Sequence, residues 1–283
     1  MSAYQECPVA KMEKLLLSSD GSEFSEGAIR EAILLAKTCS SKLYVISVAE
    51  VPDIREFADT YPLAAVEKLE AAIRQHLESV KERVEKEGVV CEIILSRGPE
   101  PYKYIVDEAA KNNVELIIMG RHGRTGITRI MMGSVTAKVI GEAPCKVLVV
   151  PRFSRISLDK ILVPTDGSIY SDLAMREAVS IAKRIGSSLI GLSVYKRDAN
   201  FELAEASVGI VKEVAEREGV KVEALTLKGE PHEVIVDTVE KKNAGFMVVG
   251  SHGRSGIERL LMGSVTERLI GHAGCPILIV RKP

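Results

Sequence analysis

One stretch of this chain occurs twice. Gly120-Arg-His-Gly123-Arg124-Thr-Gly-Ile-Thr-Arg129-Ile-Met-Met-Gly133-Ser134-Val135-Thr136 returns as Gly250-Ser-His-Gly253-Arg254-Ser-Gly-Ile-Glu-Arg259-Leu-Leu-Met-Gly263-Ser264-Val265-Thr266. More than half of the positions in 120–150 are identical to those in 250–280. A repeat nearly half as long as the chain means two domains rather than a solenoid of short units. The 283 residues divide into two halves of ordinary domain size, each long enough to bury its own core. The expected domains are 1–152 and 159–283, joined by a linker over 153–158; the surrounding Pro151–Asp159 is polar and shows no apolar pattern.

Each half alternates short apolar runs with segments of helical periodicity. In the first half Lys14–Ser19 reads as a strand, Asp20-Gly-Ser as a turn and Phe24–Lys37 as a helix that Asp20 or Ser22 can cap. Leu43–Val48, Val89–Leu95, Val114–Met119 and Lys146–Val150 are the next strands. Helices over Leu63–Glu87 and Tyr102–Lys111, and a short one around Val135, Val139 and Ile140, lie between them, with a loop over Glu50–Pro62. In the second half the same order gives strands at Ile161–Thr165, Ser188–Val194, Val220–Leu227, Phe246–Val249 and Ile277–Val280. Strand–helix alternation predicts right-handed crossovers and a parallel sheet covered on both faces. The expectation is therefore α/β: two tandem doubly wound, Rossmann-like, five-stranded parallel sheets. Ligands of such sheets bind beyond the carboxyl ends of the strands, where strand order reverses. Asp20 and the Gly120 loop share one crevice if strands one and four are neighbours there.

Composition removes several function classes. The chain is 46% hydrophobic and 27% charged, with a net charge of −1 and no long basic tract, which argues against nucleic acid as a partner. No apolar run approaches the roughly 20 residues that span a bilayer, and Met1–Glu13 lacks the apolar core of a signal peptide. The expected location is cytoplasmic, with no membrane partner. Cys7, Cys39, Cys91, Cys145 and Cys275 form no CxxC pair and are read as small buried thiols in a reducing compartment. No clustered Cys and His ligands suggest a metal site.

The repeated stretch has the parts of a phosphate cradle. A helix start offers unpaired N–H groups and the positive end of the dipole. Gly133 and Gly263 leave room for close approach, and Ser134, Thr136, Ser264 and Thr266 add hydroxyls. Arg121, Arg124 and Arg129 supply charge in the first copy; the second keeps Arg254 and Arg259 but has Ser251 in place of Arg121. Neither a GxxxxGK[ST] P-loop nor a GxGxxG fingerprint is present.

Two strands ending in Asp-Gly-Ser, with two copies of G-x2-G-x9-G-S, resemble the universal stress protein family in its tandem, ATP-binding form, over nearly the whole chain. The resemblance implies a strand order of 3-2-1-4-5 in each half and pairing of the fifth strands, so that the halves form an internal pseudo-dimer. It implies an adenine nucleotide, ATP or AMP, as ligand; an enzyme acting on that nucleotide would hold Mg²⁺ through the phosphates. Asp20 and Asp166 would lie by the ribose and adenine, and Val45 and Gly191 on strand two beside the base. Met119 and Gly120, or Val249 and Gly250, would line the ribose. Gly123, Gly133, Ser134, Val135 and Thr136, with Gly253, Gly263, Ser264, Val265 and Thr266, would hold phosphates and ribose. The family's Pro-Thr-Asp is present as Pro164-Thr165-Asp166, but the first half has Ser18-Ser19-Asp20, so the two sites are expected to be unequal.

His122 and His252 are equivalent and read as loop residues that pack or bond to backbone; His76, His232 and His272 lack repeat partners and read as surface residues. No Ser–His–Asp or Cys–His set can be assembled. The functional expectation is a two-site adenine-nucleotide sensor or regulator. A slow ATP hydrolase or nucleotidyl-transfer enzyme, and a ligand-free interaction scaffold, are the alternatives. A homodimer of chains and the protein partner stay open.

Overall fold

The computed structural model describes residues 6–9, 12–51, 63–123, 132–254 and 262–282. In the first half β1 (Lys14–Ser18) is followed by a 3₁₀ turn (Glu23–Ser25), α1 (Glu26–Cys39), β2 (Lys42–Glu50), α2 (Leu63–Lys86), β3 (Cys91–Gly98), α3 (Pro101–Lys111), β4 (Leu116–Gly120), α4 (Ser134–Glu142) and β5 (Lys146–Val150). The second half runs β6 (Lys160–Pro164), α5 (Ile169–Ile185), β7 (Ser188–Tyr195), a 3₁₀ turn (Asp198–Asn200), α6 (Phe201–Arg217), β8 (Val222–Lys228), α7 (Pro231–Lys242), β9 (Phe246–Gly250), α8 (Ser264–His272) and β10 (Ile277–Val280).

All ten strands form one sheet in the order β3-β2-β1-β4-β5-β10-β9-β6-β7-β8. Each half is parallel with order 3-2-1-4-5, and β5 meets β10 antiparallel, Leu148 opposite Leu278. The sheet is covered on both faces, which is why β1 reads as an unbroken apolar run: Leu15, Leu16 and Leu17 are all fully buried. Leu15 and Leu17 pack with α1 and α2 in one core, Leu16 with α3 and α4 in the other. Both cores continue across the seam, through Leu148 and Leu278 on one face and Val147, Val149, Ile277 and Ile279 on the other. Each such side chain contributes roughly 1.5–3 kcal/mol of burial.

Strand starts move by two residues where a helix end claims the chain. Val89, Val114 and Val220 still donate their N–H groups to Val84, Ala109 and Ala215, closing the preceding helices. So β3, β4 and β8 begin at Cys91, Leu116 and Val222.

Two expectations are corrected. The linker is not loose: Ile156 and Leu158 are buried in the core, and the Ile156 N–H donates to the buried carboxylate of Glu31 on α1 at 3.3 Å. A binary pattern cannot show this, because only two apolar residues of an irregular segment reach the core. The cysteines are not all free: Cys7 and Cys39 are disulfide-bonded, 32 residues apart, tying the leader to the last residue of α1. The other three are free thiols, Cys275 buried as expected and Cys91 and Cys145 only partly so. Burial pushes Cys91 up to about 11, and Cys145 and Cys275 up to about 12, so they are poor nucleophiles near neutral pH.

Closing a loop of this length lowers unfolded-state entropy enough to contribute about 3–4 kcal/mol. Cys7→Ser should lose up to that amount in a denaturant titration without reductant. Reductant should bring the wild type to the same midpoint; an unchanged midpoint in both cases would count against the cross-link.

Candidate functional site

The order of strands reverses between β1 and β2 on one side and β4 on the other, and again between β7, β6 and β9. Two chain turns therefore leave neighbouring strand ends and lie side by side. In the second half, Thr165-Asp166-Gly167-Ser168 turns off β6 with Gly167 at φ +74°, a left-handed conformation that favours glycine. The Ser168 N–H donates to Asp166 Oδ1 at 3.0 Å, and Ser168 Oγ caps α5 by accepting from the Ser171 N–H at 3.2 Å. The Thr165 and Ser171 hydroxyls are 3.2 Å apart, closing the turn from beneath.

Asp166 then joins this turn to the loop leaving β9. Its Oδ2 accepts from the Arg254 N–H at 2.8 Å. A Cβ on Gly253 would sit 2.6 Å from the same oxygen, so glycine is required there by the carboxylate. The far end of the loop is pinned to its start, where Gly263 N–H donates to the Ser251 carbonyl at 2.9 Å. The Thr266 hydroxyl donates to the Gly250 carbonyl at 2.9 Å, fixing α8 to the end of β9. The N–H groups of the first turn of α8 have no intrahelical acceptors.

These residues surround a cavity of ≈ 340 Å³. Pro164, Thr165, Asp166, Val249, Gly250, Gly253, Arg254, Gly263, Ser264, Val265 and Thr266, all anticipated from sequence, line it. Gly191 does not. It points to the other side of the sheet, where a Cβ would meet Val208 and Val211 of α6. Side chains alternate along a strand, so Leu192 and Val194 form this wall, with Ile235 and Leu269. Sequence reasoning missed those four, along with Ser171, Pro231 and His252. Counting strand parity from buried β6 would have found Leu192 and Val194.

The first half repeats the framework. Asp20 Oδ1 accepts from the Ser22 N–H at 3.0 Å and its hydroxyl at 2.7 Å. A Cβ on Gly123 would lie 3.0 Å from Asp20 Oδ2. Gly133 N–H donates to the Arg121 carbonyl at 2.9 Å, and the Thr136 hydroxyl to the Gly120 carbonyl at 3.2 Å. Met119, at the end of β4, and Ser18, at the end of β1, are register partners. Ser134 is exposed at the first position of α4, followed by partly buried Val135. Val45 packs in the core shared with α1 and α2, on the same face as its counterpart Gly191. Arg124 and Arg129, with Arg259 in the second half, lie outside the described residues.

Three expectations about side chains change. The hydroxyls of Thr136 and Thr266 are buried and committed to the strand-end carbonyls, so they set the helix starts instead of facing a phosphate. Arg121 is not near a phosphate position: its guanidinium donates to the Gly271 carbonyl at 3.0 Å and to that of Ala273, in the other half. His76 is not a surface residue. Its Nε2 is 2.8 Å from the hydroxyl of Ser19, which also donates to Ser25 Oγ at 3.0 Å. Its ring lies over Gly21, where the second half has Ser207 over Gly167. The two turns are therefore supported by different side chains. His232 is likewise half-buried, 6.0 Å from the ring of His272, which is exposed as expected. His122 packs edge-on against Phe24, and burial together with Arg121 lowers its pKa. His252 tilts against Tyr170 and bonds Ser251 Oγ at 3.1 Å. Among the described residues no three His, Cys, Asp or Glu side chains are grouped to hold a metal, and no helix is long and apolar enough to cross a membrane.

Burial raises the pKa of Asp166, but hydrogen bonds from the side chain and N–H of Ser168, from the Arg254 N–H and from Ser171 outweigh it and hold the carboxyl below its ordinary value. A depressed folded-state pKa stabilises the fold fully above the unfolded-state value and loses that stabilisation as pH falls through the folded-state value. Asp166→Asn should cost about 1–3 kcal/mol at neutral pH, the range for losing charge-assisted bonds. In pH-resolved denaturation the gap to wild type should narrow steadily on acidification; a gap independent of pH would refute the charge's role.

Comparison with known proteins agrees with this architecture. The model of the Universal stress protein family matches residues 12–151 and again 157–281. A universal stress protein of Methanocaldococcus jannaschii is 37% identical over 140 residues, which is 44% of this chain and 82% of that one. One of Mycolicibacterium smegmatis is 25% identical over 291 residues, 94% of this chain and 96% of its own. The crystal structure of a universal stress protein from Archaeoglobus fulgidus matches with a TM-score of 0.76 at 24% identity, covering 95% of this chain and 98% of that one, a likeness of fold. With both halves matched by the same family, this chain belongs to the universal stress proteins as a tandem member.

Proposed function

We propose that each half, 1–152 and 159–283, binds one adenine nucleotide (ATP, ADP or AMP), and that the protein acts as a cytoplasmic stress-response sensor or regulator. The observation that carries this reading is the composition of the second-half cavity. Its lining combines apolar side chains (Leu192, Val194, Ile235 and Leu269), the Asp166 carboxylate and the start of α8 at Gly263 and Ser264. A flat, weakly polar base suits the apolar wall. Ribose hydroxyls are donors that an ionised carboxylate accepts. Phosphates suit the unpaired N–H groups and dipole of a helix start, and Arg254 adds positive charge to the same lining. Mg²⁺ would ride on the phosphates, supplying charge neutralisation. The first half offers the same carboxylate and helix start through Asp20, Gly133 and Ser134.

Calorimetry with ATP, ADP and AMP should show two binding events per chain. The double substitution Gly133→Val plus Gly263→Val should abolish both by placing branched side chains at the two helix starts, where a Cβ alone would lie 3.5 Å from the Arg121 carbonyl oxygen and 3.2 Å from His252 Cα. No heat from wild type, or an unaltered isotherm from the double variant, rejects the reading.

A further inference from the structure

The two equivalent helices that follow the glycine loops, α4 and α8, each end under an arginine from the opposite half. The second-half helix α8 starts at the cavity with Ser264 and ends at His272. Arg121, from the first-half loop, donates to the carbonyls of Gly271 and Ala273 at that end. Conversely, Arg281 follows β10 and donates to the carbonyl of Ile140, in the last turn of α4. The repeat does not require this exchange. The position equivalent to Arg121 is Ser251, and that equivalent to Arg281 is Pro151, so each arginine is present in one half only.

The topology makes the contacts reachable. β5 and β10 are antiparallel, so the second half is inverted relative to the first. A crossover helix runs opposite to its strands. The cavity end of the first half therefore lies beside the C-terminal end of α8. Arg121 belongs to both places at once: its carbonyl accepts the Gly133 N–H that closes the first loop, while its guanidinium grips the second half's helix.

We propose that Arg121 is a positioning residue for the second nucleotide site, holding α8 by its C-terminal carbonyls, and that Arg281 does the same for the first site through α4. This rests on the nucleotide reading above. The final carbonyls of a helix have no intrahelical donors, and a cation there complements the macrodipole. α8 has nine residues, about 13 Å of rigid rod. A tilt released at its C-terminus moves the N–H groups at its start, and binding of a phosphate is sensitive to that placement. Arg121 is partly buried, and among the described residues its buried Nε has no hydrogen-bond partner, so the grip is maintained against a desolvation cost. Ligand held at the start of α4 fixes Gly133 and, through its N–H, the Arg121 backbone, and with it the second site; the converse holds by linkage.

The test isolates one site at a time. Ser134→Glu places a negative charge where the first site's phosphates would bind, at an exposed position that tolerates it. ATP binding by this variant reports the second site. Adding Arg121→Met should raise its Kd about 5- to 10-fold, of the order expected for losing a helix-end cation and its hydrogen bonds. Arg121→Lys should restore much of it, since an ammonium also reaches last-turn carbonyls. Hydrogen exchange without nucleotide should show faster exchange in α8 of Arg121→Met, while the helices of the first half stay protected. In the reciprocal background, Ser264→Glu, the substitution Arg281→Met should weaken the first site and can be measured even where Arg121→Met fails to fold. A second-site Kd within twofold of its background, with α8 protection unchanged, overturns the proposal. No ATP binding by wild type instead overturns the nucleotide reading on which it stands.

Discussion

The antiparallel pairing of β5 with β10 is the contact on which the rest of the molecule depends. Each half alone would leave a central, apolar edge strand with unpaired N–H and C=O groups, a template for unwanted pairing. Joining Val147-Leu148-Val149 to Ile277-Leu278-Ile279 removes both edges and makes one sheet. It also merges the cores, because Leu148 with Leu278 serves one face and Val149 with Ile277 the other. The chain behaves as a covalent version of a two-fold dimer, with the linker docked rather than free. Glu31, buried in α1, accepts the Ile156 N–H and pairs with Arg30. An ionised carboxylate in that setting is tolerable because it has both a cation and a donor.

Inversion of the second half has a functional consequence. Parallel strands place a ligand at their carboxyl ends, and the carboxyl ends of the two halves point in opposite directions. The second-half cavity and the corresponding strand ends of the first half therefore lie at opposite ends of the sheet, and no single small ligand spans them. Anything one site communicates to the other must pass through the seam. Among the described residues Lys146 pairs with Glu177 across the halves. Arg121 and Arg281 are polar and directional, and their guanidiniums hold the ends of α8 and α4.

Much of this was legible in the sequence, for a physical reason. Parallel strands buried on both faces are written as solid apolar runs, so Lys146–Val150 and Ile277–Val280 are found at their true bounds. Glycine stops such as Gly88, Gly186 and Gly219 mark helix ends because all three adopt positive φ. Other features were hidden because they are made by tertiary contact. Nothing local to Cys7 or Cys39 announces their bond, and nothing in Pro151–Asp159 distinguishes Ile156 from a solvated residue. Gly191 was misplaced because aligning the repeats gives position along a strand, whereas lining a cavity depends on parity. Arg121 carries its charge away from its own loop because sequence proximity fixes where a backbone is, not where six further atoms of side chain reach.

The repeated glycines also take on a more specific meaning. Identity between two internal copies suggests a constraint, and a bound phosphate is the obvious candidate. The geometry assigns part of that constraint elsewhere. Gly123 and Gly253 are small because the carboxylates of Asp20 and Asp166 lie where a Cβ would be. Gly133 and Gly263 donate to the carbonyls of Arg121 and Ser251 and lead into the helices. The first glycine of each motif thus serves the aspartate and the second serves the helix start. A ligand held between carboxylate and helix start would depend on both without needing to touch the first glycine. A further difference between the two copies lies outside the motif, in the layer beneath the turn. There His76 supports Gly21 and Ser19, and Ser207 stands near Gly167. An imidazole and a hydroxyl differ in size, donor geometry and stiffness. The shared glycines therefore preserve the same carboxylate and helix-start geometry in both halves, while the side chain beneath each turn differs.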